Sequence, residues 1–288
     1  MEYSLLAVDL DGTLLNREKE IDQENVRALH DYKKKGGKIV ICSGRSPLST
    51  RWIAETIGLD DAIISFNGAV LQEADGKILE KFIFKQESIL TFLNLCNAYG
   101  AYAHLYEGDT ILVPEENKWN KSWIENNIPC LQFSGGNLTN CENYRNQCQV
   151  KLVEDFPLYV KDNQPEITKV AVFHENNNLH PFSSELKPYS SDFEISTSFD
   201  YANLEITASG VTKAFALLKL VGRLGLSLSE VAAIGDNYND LAMLKEAGLG
   251  IAMGNAPDEV KQAANTITET NEEAGVAKAI RKYLLPRY

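Results

Sequence analysis

The rhythm of hydrophobic and polar positions changes along the chain. Ser4–Asp9 is a short, almost fully apolar run, the pattern of a strand buried on both faces. Asp22 then stands where a helix needs a cap, and Val26, Leu29 and Tyr32 recur on one face. Gly36-Gly37 closes that segment after Lys35. Lys38–Cys42 reads as a second buried strand. Ser46-Pro47 supplies an N-cap and a proline at the first helical position, and Gly58 ends the helix. Ala62–Phe66 is a third strand. A β-α-β-α-β run predicts parallel strands joined by right-handed crossovers.

The end of the chain repeats this grammar. Lys213–Leu224 reads as a helix, Val231–Gly235 as a strand, and Asn239–Ala247 as a helix stopped by Gly248. Gly250–Met253 is another strand, and a further helix starts at Pro257. The stretch between is richer in Asn, Tyr and Ser. It holds isolated strand candidates at Thr110–Val113, Lys169–Phe173, Phe193–Thr197 and Asn203–Thr207, with helical stretches near Glu87–Tyr99 and Trp119–Asn127. The polar residues Glu175–Asn178 suggest a turn. The expected fold class is α/β: a doubly wound, mostly parallel, Rossmann-like sheet built from residues 1–82 and 206–288, with an α+β domain inserted at 83–205.

Composition narrows the function. At 288 residues, with 44% hydrophobic and 24% charged positions, the chain is long enough for a sizeable core and ordinary for a globular protein. Its net charge of -12 argues against a nucleic-acid surface and against anionic membranes. Met1-Glu-Tyr-Ser runs straight into the first strand without a basic, then apolar leader, and no apolar window approaches the ~18 residues of a membrane helix. Five scattered cysteines (Cys42, Cys96, Cys130, Cys141, Cys148) lack any CxxC, which fits free thiols better than a disulfide framework or a Cys141/Cys148 metal site. A cytoplasmic monomer or weak homo-oligomer is expected.

Ligands of open parallel sheets sit beyond the carboxyl ends of the strands. Polar clusters fall at such ends: Asp9-Leu10-Asp11-Gly12-Thr13, Ser43-Gly44-Arg45 and Asp236-Asn237-Tyr238-Asn239-Asp240, with Lys213 opening the helix before the last. Together they make one site of four or five carboxylates, a hydroxyl and a lysine. Carboxylates crowded this way need a hard cation, and oxygen-only ligands without His or Cys favour Mg²⁺. A dianionic phosphate monoester needs the same cation and a lysine if a carboxylate is to attack it. Ser43 and the backbone N–H groups beside Gly44 suit phosphate oxygens. The parts fit phosphoryl transfer through an aspartyl-phosphate.

These residues resemble the haloacid dehalogenase-like hydrolases, and most of all the Cof-type phosphatases, which carry a large α/β cap between their second and third motifs. The family's DxDGT is similar to Asp9–Thr13, its [ST]GR to Ser43-Gly44-Arg45, and its GDxxND to Gly235–Asp240. GV-x-KG is matched by Gly210-Val211-Thr212-Lys213-Ala214, with Ala214 in place of the usual glycine, and Asn67-Gly68-Ala69 matches an NGA element. At average residue usage, DxDGT or GDxxND arises by chance on the order of once in 10⁵ positions. The resemblance covers both ends of the chain, while 83–205 matches by position and size alone. It implies Asp9 as nucleophile and Asp11 as general acid/base. Mg²⁺ would be held by Asp9, the backbone carbonyl of Asp11, and Asp236. Asp240 and Thr13 would support these ligands. Ser43, Gly44, Arg45, Asn239 and Lys213 would bind the transferring phosphoryl group.

Simpler readings stand beside these. Strand-end turn chemistry explains Asp11-Gly12 but not Asp9, and a helix N-terminus accounts for one of Asp236 and Asp240. Arg45 is as consistent with a local acid partner as with phosphate. Lys33-Lys34-Lys35 fits a solvated helix end. For His104 and His174, packing or surface is favoured over substrate contact, and Trp119, Trp123 and Phe133 fit core better than a substrate mouth. The functional expectation is a Mg²⁺-dependent phosphatase of small phosphorylated metabolites resembling sugar phosphates. A phosphomutase of the same superfamily and a phospho-accepting receiver-type module are the alternatives.

Overall fold

The computed structural model describes residues 2–127, 148–197 and 201–285. Its first five strands are β1 (Leu5–Val8), β2 (Lys38–Cys42), β3 (Ile63–Ser65), β4 (Val70–Gln72) and β5 (Ile78–Lys81). Then come β6 (Tyr102–Glu107), β7 (Thr110–Val113), β8 (Val150–Leu152), β9 (Ile167–Phe173), β10 (Phe193–Thr197) and β11 (Asn203–Ala208). The chain closes with β12 (Val231–Gly235), β13 (Leu249–Ala252) and β14 (Thr266–Ile267).

These strands form two sheets, one of order β14-β13-β12-β1-β2-β3-β4-β5 and one of order β10-β11-β9-β6-β7-β8. The first is parallel from β14 to β3 and antiparallel through β4 and β5. The second is antiparallel apart from β7 beside β8. The fold is the α/β class the sequence rhythm predicts, a doubly wound sheet plus an α+β unit.

Alternation along β1 and β2 accounts for the double winding. Leu6, Val8, Ile39 and Ile41 face the helix Gln23–Lys34 and the C-terminal turns, meeting Leu29, Tyr32, Val276 and Ile280. Leu5, Ala7, Val40 and Cys42 face the other way, onto Leu217, Leu220 and Val221 of the helix Lys213–Leu224. Each strand thus buries both faces, at roughly 25 cal/mol per Å² of apolar surface removed from water.

The helices start where side chains can take their unsatisfied N–H groups. Asp22 accepts from the N–H of Glu24, Ser46 from that of Ser49, and Thr212 from that of Phe215. Gly225, at φ +67°, ends the last of these in the left-handed region. The helix expected over Asn239–Ala247 is instead a 3-10 turn at Tyr238–Asp240 leading into an α-helix at Leu241–Glu246. The Asp240 carboxylate turns back to accept from the N–H groups of Asp236 and Asn237, which tightens this start.

The six-stranded sheet also has two faces. One packs Phe92, Phe182, Phe193, Val170 and Val172 into a core of its own. The other sets Tyr102, Tyr106, Ala171 and Phe173 against Phe66, Ala69, Val70 and Val211 of the first unit. His104 is fully buried on this second face, and burial, then Lys169, pushes its pKa down to about 3. Trp119 stacks on Tyr102 with ring centroids 5.0 Å apart. Lys33 pairs with Asp60 and Asp61 instead of standing free in solvent. Cys130, Phe133, Cys141 and the Trp123 side chain lie outside the described residues. No helix among the described residues is long and apolar enough to cross a membrane.

Candidate active site

β1 and β12 are neighbours in register, so their carboxyl ends deliver Asp9 and Asp236 side by side. Asp240 comes back to the same point on the tight turn after β12. Carboxylate oxygens of Asp9, Asp236 and Asp240 lie within 4.8 Å of one another, and all three residues are buried. A buried lysine answers them. Lys213, 1% exposed, donates from Nζ to Asp9 Oδ1 and to Asp240 Oδ1, both at 2.6 Å.

Loss of solvent raises the Asp9 pKa first, and the neighbouring Asp240 raises it further against the pull of Lys213. Asp236 is raised in the same way, by burial and then by Asp9. Burial opposes the charge of Lys213, but the two carboxylates on it more than compensate and hold it protonated. Three buried carboxylates against one ammonium leave negative charge unbalanced. An oxygen-only donor set with that deficit fits a hard divalent cation such as Mg²⁺.

The loop after β1 is built around this charge. Thr13 Oγ1 donates to Asp236 Oδ1 at 3.0 Å. Gly12 takes φ +82°, and a Cβ there would lie 2.3 Å from Asp236 Oδ2, so both backbone shape and space demand glycine. Asn255, in the loop after β13, donates to the Gly12 carbonyl at 2.8 Å and to Asp236 Oδ2 at 3.3 Å.

Asp11 points elsewhere. Arg45 clamps it, donating from Nε to Oδ2 at 2.6 Å and from Nη2 to Oδ1 at 2.7 Å, while Lys19 Nζ reaches Oδ1 at 2.8 Å. The carboxyl is 40% exposed. Partial burial pushes its pKa up, but Arg45 and then Lys19 outweigh this and hold it below the usual carboxylate range. Arg45 thus pairs with a local acid and is itself buried.

Ser43 is buried at the end of β2 and its Oγ accepts from the N–H of Arg45 at 3.1 Å. Asn239 Nδ2 donates to Asn67 Oδ1 at 3.1 Å, and its own Oδ1 is buried with no hydrogen-bond partner among the described residues. Ala214 is buried in the helix start and leaves Lys213 in reach of both acids. The residues expected from the sequence to form the site (Asp9, Asp11, Thr13, Ser43, Gly44, Arg45, Lys213, Asp236, Asn239 and Asp240) therefore gather at one end of the parallel sheet. The sequence reading missed Lys19, Asn255, Lys169 and Glu205. Of these only Asn255 carried a signal, a polar residue just past a buried strand.

A sequence model of the haloacid dehalogenase-like hydrolases matches residues 6–280. This chain belongs to that family. A relative in Bacillus subtilis, 5-amino-6-(5-phospho-D-ribitylamino)uracil phosphatase YcsE, is 32% identical over 285 residues, covering 99% of this chain and 97% of its own. A solved haloacid dehalogenase-like hydrolase from B. subtilis superposes with a TM-score of 0.81 at 27% identity, covering 98% of this chain and 100% of that one. A subclass IIB sugar phosphatase of the superfamily gives 0.77 at 25% identity, covering 97% and 98%. The chain is a phosphatase-type hydrolase of this superfamily, with the subclass IIB architecture.

Proposed function

We propose that this hydrolase removes the phosphoryl group from small phosphorylated metabolites, sugar phosphates among them, in a Mg²⁺-dependent reaction through an aspartyl-phosphate at Asp9. The observation that carries this reading is the buried trio of Asp9, Asp236 and Asp240 bridged by Lys213. The relatives that act on a phosphorylated ribityl compound and on sugar phosphates support the substrate class.

Asp9, the backbone carbonyl of Asp11, and Asp236 would hold Mg²⁺, with Asp240 and Thr13 keeping Asp236 and Lys213 in place. Bound there, the cation supplies the charge neutralisation that lets a carboxylate approach a dianionic phosphate. Ser43, the backbone around Gly44, Asn239 and Lys213 bind the phosphoryl oxygens. An Asp9 oxygen attacks phosphorus, the bond to the leaving oxygen breaks, and Asp11 gives that oxygen a proton. Water then attacks the phosphorus of the acyl phosphate, Asp11 takes its proton, and inorganic phosphate leaves with Asp9 restored. The residues 83–205 act as the cap that excludes bulk water and selects the leaving group.

Asp11 clamped by Arg45 and Lys19 is in its base form. Protonating the leaving oxygen requires the clamp to open. An incoming phosphate dianion beside Ser43 competes for the Arg45 guanidinium, which couples substrate arrival to release of the acid.

Turnover of p-nitrophenyl phosphate with and without EDTA tests the proposal. Steady phosphate release that EDTA stops, and that Asp9→Asn abolishes, is the expected result. A receiver-type module would form one stable adduct from acetyl phosphate without continuing release. A mutase would isomerise a sugar phosphate without freeing phosphate.

A further inference from the structure

The six-stranded sheet turns one ion pair toward the first unit. Lys169 on β9 and Glu205 on β11 meet at 2.6 Å, and Lys169 is 1% exposed. Alternation along β9 sets the direction, because Ala171 and Phe173 share the Lys169 face and pack against Phe66 and Val70. The ammonium lies 5.5 Å from the Phe66 ring centroid and 5.7 Å from that of Tyr106. A lysine buried this far carries a large desolvation cost unless its charge is used.

Both members of the pair reach the phosphate loop. Lys169 Nζ donates to the Gly44 carbonyl at 2.7 Å. Glu205 Oε2 accepts from Asn67 Nδ2 at 2.8 Å. Asn67 in turn donates its backbone N–H to the Ser43 carbonyl at 2.9 Å, and its Oδ1 accepts from Asn239. The backbone of Phe66 completes the clasp, its N–H donating to the Arg45 carbonyl at 2.9 Å. Gly44 belongs to the same arrangement: a Cβ there would come within 2.8 Å of Glu205 Oε2 and 3.0 Å of Asn67 Oδ1. The bare α-carbon makes room for a carboxylate from the other sheet.

We infer that Lys169 and Glu205 are positioning residues for phosphoryl transfer: their ion pair, acting through the Gly44 carbonyl and Asn67, holds the Ser43–Arg45 loop in the shape that receives the phosphoryl oxygens. The second sheet then does more than cover the site, because oxyanion binding depends on its being seated. The inference rests on the phosphatase reading of the site.

The test compares wild type with Lys169→Met, Lys169→Arg, Glu205→Gln and the Lys169→Met/Glu205→Gln double variant, all full-length with Mg²⁺. The readouts are kcat and KM for p-nitrophenyl phosphate, the inhibition constant of inorganic phosphate, and the thermal midpoint. Loss of one charge-assisted hydrogen bond to the loop raises KM and the phosphate inhibition constant together, by about ten-fold, in Lys169→Met. kcat falls less, Lys169→Arg recovers part of the loss, and the double variant is little worse than Lys169→Met because the pair acts as a unit. Wild-type KM and phosphate inhibition in the folded variants, with only a lowered thermal midpoint, overturn the inference. If Lys169→Met does not fold, wild-type values in both Lys169→Arg and Glu205→Gln overturn it equally. If wild type shows no turnover, the phosphatase reading fails. Calorimetric binding of inorganic phosphate then decides this inference alone: equal affinity in wild type and variants overturns it, and about ten-fold weaker binding in the variants supports it.

Discussion

Replacing Lys213 with methionine keeps the length of the side chain and removes its charge. Lys213 is 1% exposed, and its partners Asp9 and Asp240 are 7% and 0% exposed at the side chain, so water cannot take over its role. Two contacts at 2.6 Å disappear, and three carboxylates remain at one point. Breaking a buried pair from one side costs about 3–5 kcal/mol. With a urea slope of about 3 kcal/mol/M for a chain of this size, the unfolding midpoint drops by about 1–1.7 M. The cost also depends on pH. In the metal-free protein burial and neighbouring carboxylates raise Asp9 to about 7 and Asp236 to about 8. Between the ordinary carboxylate range and those values the folded state holds protons that the unfolded state has lost, so stability falls as pH rises through that window. Removing Lys213 raises both acids further and deepens the fall. The Asp240 contact is lost at both pH values, so urea unfolding in EDTA at about pH 5 and about pH 8 gives a smaller loss at the lower pH than at the higher one. A loss below about 1 kcal/mol at the higher pH, or equal losses at both, refutes the charge argument.

With Asp9 and Asp236 raised, the proposed Mg²⁺ binding should release protons. Mg²⁺ affinity should rise with pH up to about 8, with heats that differ between buffers of unlike ionisation enthalpy. Buffer-independent heats would mean the two acids are already ionised. Asp11→Asn should lower kcat for p-nitrophenyl phosphate by about 10²–10⁴-fold, the range of general acid–base catalysis, and a wild-type rate would remove Asp11 from the mechanism. Gly12→Ala forces a methyl against Asp236 Oδ2 in a left-handed backbone. It should cost about 1–3 kcal/mol of stability and weaken Mg²⁺ dependence, measured by unfolding and by metal titration of activity.

Asp9 and Asp236 were legible in the sequence because each follows an uninterrupted apolar run. A strand buried on both faces leaves few reasons for an acid at its end, and β1 and β12 carry Asp9 and Asp236 there. Lys213 was legible through its place at a helix start between two motifs. Lys169 and Glu205 were not. Lys169 lies 125 residues from Gly44 and Glu205 138 residues from Asn67, so only the packing of one sheet on the other brings them together. Within β9, ITKVAVF, a lysine in an apolar strand has the same local signature as one pointing to solvent. Lys19 gave no signal either, since its reach to Asp11 depends on a backbone φ of +63° that periodicity does not encode. β4 and β5 escaped notice because three residues in one and an exposed edge in the other leave too short a pattern to read.

The central claim is that Asp9 carries the phosphoryl group between two displacements. The stereochemical course at phosphorus tests it most directly. A phosphate monoester made chiral by oxygen isotopes is hydrolysed in isotopically labelled water, and the configuration of the inorganic phosphate is determined. Two in-line displacements, first by Asp9 and then by water, predict net retention. Net inversion would mean that water attacks the substrate directly, and would contradict the account.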